Sequence, residues 1–218
     1  MTDMAEKLAG KFLVIDGPDG AGKTTQARLL GEYLRSLGVL LCPVRDPGGT
    51  LIGDRIRSIL LDRRHAEMAV ECELMLYMAS RAQLVAEVIQ PALASGQCVL
   101  ADRFVSSTIA YQGAGGIDVE AIRSVVRVAV RDLWPDLTVI LDLPAEVGLE
   151  RVRHKNAMAA ELFDRMESKA IDFHRRVRSV FLQQARGEAG RFAVLDATPG
   201  MEEVQQRLRD VVEGWKWR

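Results

Sequence analysis

The sequence predicts an α/β fold: a five-stranded parallel sheet with helices on both faces. Three observations carry this. Apolar runs of four to six residues alternate along the chain with longer segments whose apolar residues recur at helical spacing. The runs lack the polar and apolar alternation of a sheet with one wet face, so each strand is expected to be covered on both sides by crossover helices. A glycine-rich stretch separates the first run from the first helical stripe, the position at which such sheets bind ligands beyond the carboxyl ends of their strands.

In order, Phe12 to Ile15 reads as the first strand, and Leu30, Tyr33, Leu34 and Leu37, stopped by Gly38, as the first helix. Val39 to Val44 is the second strand. Met75, Met78, Ala79, Ala82, Val85, Ala86 and Ile89 form a helical stripe, and Cys98 to Ala101 is the third strand. Ile122, Val125, Val126, Ala129, Val130 and Leu133 repeat at helical spacing before Leu137 to Leu141, a fourth strand with a β-branched centre. Phe173, Val177, Val180 and Phe181 mark a further helix, Phe192 to Leu195 the fifth strand, and Val204, Leu208, Val211, Val212 and Trp215 the closing helix.

A chain of 218 residues, 48% hydrophobic, suits one compact domain spanning 1–218. Twenty-nine basic residues against thirty acidic ones give a formal charge of −1, so anion binding must come from local clusters, and a general nucleic-acid binder is not indicated. Cys42, Cys72 and Cys98 are odd in number and lack metal-ligand spacing, which suits reduced thiols. Met1 to Lys11 carries charges and no apolar leader core, and no apolar stretch approaches bilayer length. A cytoplasmic protein with no membrane partner is the expectation.

Gly17, Pro18, Asp19, Gly20, Ala21, Gly22, Lys23 and Thr24 fit G-x-x-x-x-G-K-[ST] between a strand and a helix. A polyphosphate carries several negative charges, so the loop must turn backbone N–H groups inward, and glycine permits the dihedrals and close approach that a Cβ forbids. Lys23 is placed to reach the β- and γ-phosphates, and Thr24 to offer its hydroxyl to Mg²⁺. The prediction thereby narrows to a three-layer P-loop NTPase fold binding ATP and Mg²⁺. The same loop serves GTPases, ATPases and kinases. Asp102 closes the third strand and Arg103 follows it. A carboxylate there can hold hydrated Mg²⁺, and a guanidinium can grip a phosphate through its fork, although a strand-end Asp can equally cap the next helix.

From Asp102 the chain runs D-R-F-V-S-S-T-I-A-Y-Q-G, which resembles the D-R-[YF]-x-x-S-[ST]-x-A-Y-Q-G segment of the thymidylate kinase family. Arg45 to Thr50, R-D-P-G-G-T, is similar to that family's R-E-P-G-G-T loop with Asp for Glu, and Asp16 to Gln26 resembles its P-loop. The resemblance covers nearly the whole chain. It implies transfer of the γ-phosphoryl group of ATP to dTMP, giving dTDP, with Arg45 and Arg103 on the dTMP phosphate. Asp19 then accepts from the sugar 3′-hydroxyl, Tyr77 stacks on thymine and Arg81 reaches a base oxygen. Thr108 and Gln112 fall at positions facing the substrate, and Tyr111 crowds the sugar 2′ position. Thr25 joins the P-loop residues about the ATP.

In the same family, P-loops without an arginine are accompanied by catalytic arginines in a lid. The loop here holds Pro18, Asp19, Gly20 and Ala21, so the lid, about 151–166, is the expected source, with Arg153 and Arg165 preferred and Arg151 next. The stretch Asn156 to Leu162 departs from the family's Gly-containing lid. Apolar helix faces beyond core needs, with the resemblance, suggest a homodimer. The alternatives are another nucleotide or nucleoside kinase, acting on dCMP, dUMP or a deoxynucleoside, and a P-loop GTPase. The chain has no N-K-x-D guanine-recognition motif.

Overall fold

A computed structural model describes residues 3–159 and 164–217. Five parallel strands, β1 (Phe12–Asp16), β2 (Leu41–Arg45), β3 (Cys98–Asp102), β4 (Leu137–Asp142) and β5 (Phe192–Asp196), form one sheet in the order β2-β3-β1-β4-β5. The central strands are buried on both faces, as their unbroken apolar runs require, whereas edge strands β2 and β5 are partly exposed. Pro43 is tolerated in β2 because an edge strand pairs on one side only.

Pleating sends Leu13 and Ile15 to one face and Phe12 and Val14 to the other. The first face packs with Leu30 and Leu34 of α2 (Lys23–Ser36) and Val204, Leu208 and Val212 of α10 (Met201–Gly214). The second packs with Met78 of α4 (Val70–Leu84), Ile109 of α6 (Val105–Ala114) and Ile122 and Val126 of α7 (Val119–Val130). Phe173, Val177 and Phe181 of α9 (Ile171–Gly187) join Tyr111 and Ile140 in a third cluster. The remaining helices are α1 (Asp3–Lys7), α3 (Leu51–Leu61), α5 (Gln90–Ala94) and α8 (Ala145–Ala159).

Each strand ends on a charged residue, Asp16, Arg45, Asp102, Asp142 or Asp196, one position beyond its apolar run. The apolar pattern therefore stops where the sheet gives way to the site. The second strand begins at Leu41 and not at Val39, which is a buried loop residue. The expected stripe over α4 and the turn after it is also corrected: Met75, Ala79 and Ala86 are exposed, and the buried positions are Glu73, Leu74, Met78, Ser80, Arg81, Leu84, Val85 and Ile89. Arg81 occupies an apolar stripe position because its charge is used within the fold. A π-helical turn over Val85–Ile89 links α4 to α5 just before Pro91, whose missing N–H already interrupts the helical ladder.

Candidate active site

β1 delivers Asp16, fully buried, to the base of the glycine loop, where its carboxylate accepts from Gly17 N (2.9 Å), Ser106 Oγ (2.5 Å) and Ser107 Oγ (2.7 Å). These bonds fasten the loop to α6. The loop also touches neighbouring backbone so closely that only glycine fits. A Cβ on Gly17 would lie 2.5 Å from Leu141 O, and one on Gly20 would lie 2.1 Å from Gly148 O. The contact is reciprocal, since a Cβ on Gly148 in α8 would sit 2.3 Å from Asp19 O. Gly148→Ala is therefore expected to displace the loop, lowering stability by about 1–3 kcal/mol and weakening ATP binding. Thermal melts and ATP titration check this, and a variant with wild-type melting and affinity would contradict it.

Gly22 ends the loop in the left-handed region (φ 87°) and caps α2. Lys23, the first residue of α2, is buried and donates from Nζ to Pro18 O at 2.7 Å, folded back on the loop that it serves. Burial first, and the Arg103 cation second, pull Lys23 down to about 8 from 10.5, against the opposing pull of Asp19 and Asp102. A polyphosphate arriving at Nζ restores the charged form. ATP binding at pH 9 is thus expected to take up a proton, seen as a binding enthalpy that varies with buffer ionisation heat; buffer-independent heat would contradict this. Because the folded chain deprotonates Lys23 before the unfolded one does, stability gains from this group as pH rises from about 8 to 10.5.

At the mouth of the loop Thr24 Oγ1 donates to Asp102 Oδ2 at 2.6 Å, joining the start of α2 to the end of β3. Both are hard oxygen donors suited to Mg²⁺. Among the described residues no group of three or more His, Cys, Asp or Glu side chains forms a metal cage. Two protein oxygens fit an ion that keeps most of its shell in water and phosphate.

Beside the loop lies a cavity lined by Asp19, Arg57, Tyr77, Arg81, Arg103, Ser107, Thr108, Tyr111 and Gln112 among others. Arg103 has φ 70°, a left-handed conformation costing a non-glycine residue about 1 kcal/mol. Its N–H still bonds Ile15 O, and its guanidinium meets Asp19 Oδ1 at 2.5 Å and Ser107 Oγ at 3.2 Å. Burial pushes Asp19 up, but Arg103 and Lys23 outweigh it and hold the carboxyl at about 2. The Tyr111 ring lies under Arg103, 5.3 Å from its guanidinium carbon, and packs on Phe173 and Phe181. Arg81 is buried: Nε bonds Asp46 Oδ2 at 2.5 Å, and Nη2 donates to Thr108 Oγ1 at 2.9 Å and Phe104 O at 3.2 Å. Burial pushes the Tyr77 phenol up, leaving a neutral ring against the cavity.

Arg57 was not singled out by the sequence, and it lines this cavity from α3, donating to Pro47 O at 3.0 Å. Burial, then Arg45 and Arg103, lower its proton affinity against the weaker opposing pull of Tyr77 and Asp102. Its only sequence signal is a basic residue at i+3 from Asp54 on an amphipathic helix. Arg45 lies outside the cavity, half exposed, with Nη2 3.3 Å from Asp54 Oδ1, in a groove shared with Thr24 and Asp102.

The three arginines expected in the lid are placed differently. Arg151 donates to Ala197 O (2.9 Å) and Thr198 O (3.0 Å) beside a second groove lined by Gly20, Gly22, Thr25, Gln26 and Gly200. Arg153 is exposed on α8. Arg165 is buried, bonded through Nε to Leu60 O at 2.9 Å and through Nη2 to Glu73, while its neighbours Asp164 and Met166 line the cavity. The part of the expected lid at 160–163 lies outside the described residues.

A phosphate loop ahead of α2, a Thr–Asp pair at its mouth and a cation-lined cavity alongside define a P-loop phosphotransferase of the nucleotide kinase class. Comparison with known proteins makes this particular. A family model described as thymidylate kinase matches residues 15–208. The chain is 46% identical over 201 residues to a thymidylate kinase of Pelobacter propionicus, covering 91% of this chain and 92% of the relative. It is 44% identical over 207 residues to one of Desulfovibrio desulfuricans, covering 94% and 95%. The crystal structure of thymidylate kinase from Ehrlichia chaffeensis superposes with a TM-score of 0.74 at 29% identity, covering 93% of this chain and 98% of that one. The chain belongs to the thymidylate kinase family.

Proposed function

We propose that this chain transfers the γ-phosphoryl group of ATP to dTMP, yielding dTDP and ADP, with Mg²⁺ as the cation that would offset charge on the donor phosphates. The observation that carries the reading is the cavity beside the glycine loop, lined by Arg57 and Arg103, with Tyr77, Arg81, Thr108 and Gln112 completing the walls. Two guanidiniums suit the dianionic acceptor phosphate, and the aromatic and polar walls suit a nucleobase. Asp19 is shared between the loop and the cavity, so its Oδ2, which has no hydrogen-bond partner among the described residues, is available to the sugar 3′-hydroxyl. Tyr111 closes the sugar side. Thr24 and Asp102 would hold Mg²⁺.

Lys23, the loop amides and Thr25 hold the ATP phosphates. Arg57 takes the phosphate role first expected of Arg45, and Arg45 adds positive potential from the adjoining groove. Arg153, exposed on α8, closes over the transferring group with the lid at about 151–166, and Arg151 borders the donor groove. Arg165 acts from behind the cavity. No general base is required, because a phosphate oxygen is already anionic at neutral pH, and positioning with charge neutralisation carries the rate.

The chain works as one P-loop kinase domain, cytoplasmic, with neither nucleic acid nor membrane as partner. Balanced charge argues against a general nucleic-acid partner. Among the described residues no helix is long and apolar enough to cross a membrane. Exposed Leu51, Ile52 and Ile59 on α3 with Met75 on α4 support a homodimer.

A panel of dTMP, dCMP, AMP and thymidine with MgATP tests the function: dTMP is expected to give the highest kcat/KM, and preference for another acceptor refutes the assignment. Arg57→Ala is expected to raise KM for dTMP about 30- to 100-fold, equivalent to removing one charged phosphate contact. KM for ATP should stay within about twofold, and a change confined to ATP would show that Arg57 serves the donor.

A further inference from the structure

Behind the cavity lies a buried ionic cluster centred on Glu73. Glu73, on α4 and 1% exposed, receives Gln112 Nε2 of α6 on Oε1 at 2.6 Å, and Arg165 Nη2 on Oε2, with Lys169 Nζ 4.0 Å away. A carboxylate paired with a guanidinium only accepts hydrogen bonds. The Gln112 amide must therefore turn its NH₂ toward Glu73. Its Oε1 is left without a partner among the described residues, in a side chain that lines the acceptor cavity.

An unpaired buried acceptor is costly unless a ligand donor meets it. Arg81, on the same cavity, carries only donors. Arg81 Nε and Nη2 are taken by Asp46, Thr108 and Phe104 O, and Nη1 has only Met78 Sδ at 3.8 Å, so the two side chains together offer one acceptor, Gln112 Oε1, and one donor, Arg81 Nη1. That pattern complements an imide edge, which presents N–H beside C=O, and is reversed for a cytosine edge, which presents a bare ring nitrogen beside an amino group. A free Gln112 amide could rotate by half a turn and suit either.

We propose that Glu73 is a positioning residue that fixes the donor–acceptor polarity of the acceptor-base pocket by holding the Gln112 amide in one orientation, with Arg165 anchoring Glu73 from the far side. This rests on the acceptor site read above and adds what selects the base. The residue never touches the substrate. It acts through Gln112.

The test is isothermal titration of dTMP and dCMP into the wild-type chain, Glu73→Gln, Gln112→Ala and the double variant. Glu73→Gln preserves shape but lets the facing amide turn, so the preference for dTMP over dCMP is expected to fall about tenfold, the worth of one misdirected buried hydrogen bond. In the Gln112→Ala background the same change should move the preference by less than about twofold, because the intermediary is gone. A purely structural role would lower the melting temperature and leave the preference unmoved, which overturns the proposal, as does an equal effect in both backgrounds. If Glu73→Gln alone fails to fold because Arg165 is left unpaired, Glu73→Gln with Arg165→Met removes both charges and carries the same expectations. A wild-type chain that prefers dCMP would refute the functional reading itself; one that prefers dTMP while Glu73→Gln leaves the ratio intact refutes only this inference.

Discussion

Lys23→Ala is expected to lower kcat by about 10²- to 10³-fold, the cost of deleting one preorganised charge from a phosphoryl-transfer site. Lys23 is buried at the start of α2, and among the described residues its ammonium has a single close acceptor, Pro18 O, with Asp19 Oδ1 at the limit of ion pairing, 4.0 Å away. Removing it spares the sheet, the loop bonds of Asp16 and both cores. Melting should therefore change little, and near-UV circular dichroism should match the wild type. Burying a cation that pays for its desolvation in a lowered proton affinity opposes folding, so the variant can even be slightly more stable. Unchanged kcat with a folded chain would show that the glycine loop does not hold the reacting phosphates.

Arg103→Ala is expected to lower kcat/KM for dTMP by about 10²- to 10³-fold and to destabilise the fold by about 1–3 kcal/mol, because a buried charged group loses its partner. Asp19, held at about 2 by Arg103 and Lys23 against burial, would lose its nearest cation and rise. In the wild type this carboxylate contributes stability that is present above its ordinary 3.8 and lost as pH falls through about 2. In the variant the folded and unfolded values draw together, so this stabilisation is smaller and its loss is complete at a higher pH. Acid unfolding followed by fluorescence should show the shift, and coincident acid transitions would mean that the Arg103–Asp19 pair does not set the Asp19 charge. Arg103→Lys is expected to recover little activity, since the planar fork meets Asp19 and Ser107 together and an ammonium cannot.

Much of the frame is legible in the sequence because it follows from periodicity. The five strands are short apolar runs, and the loop at Gly17 to Thr24 sits between a run and a stripe, so sheet, loop and phosphate site emerge together. Helices α3, α6 and α8 are harder to see. Val105 to Gln112 of α6 are all buried, so no apolar stripe stands out against a polar face. α3 instead leaves Leu51, Ile52 and Ile59 exposed, which blurs its stripe.

The buried face of α4 carries Glu73, Ser80 and Arg81 among its apolar residues, so its pattern points to the wrong positions. Of these, Arg81 lines the cavity and Glu73 bonds Gln112 in its wall. Arg45 and Arg57 show the other limit. Both are arginines near the R-D-P-G-G-T segment, and only the turn of α3, capped by Thr50 Oγ1 on Gly53 N at 2.9 Å, brings Arg57 to the cavity while Arg45 meets Asp54 outside it. Arg165 is likewise one more basic residue in a charged stretch until the fold sets Glu73 behind it.

The central physical claim is that one edge of the sheet holds two phosphates end to end, the donor on the glycine loop and Lys23, the acceptor on Arg57 and Arg103. A single-turnover experiment with γ-labelled ATP, Mg²⁺ and dTMP addresses it directly. The account predicts that the label appears in dTDP in step with ADP formation and that omitting dTMP leaves ATP essentially intact. Label released as inorganic phosphate in the presence of dTMP, or ADP formed at the same rate without it, would contradict the account.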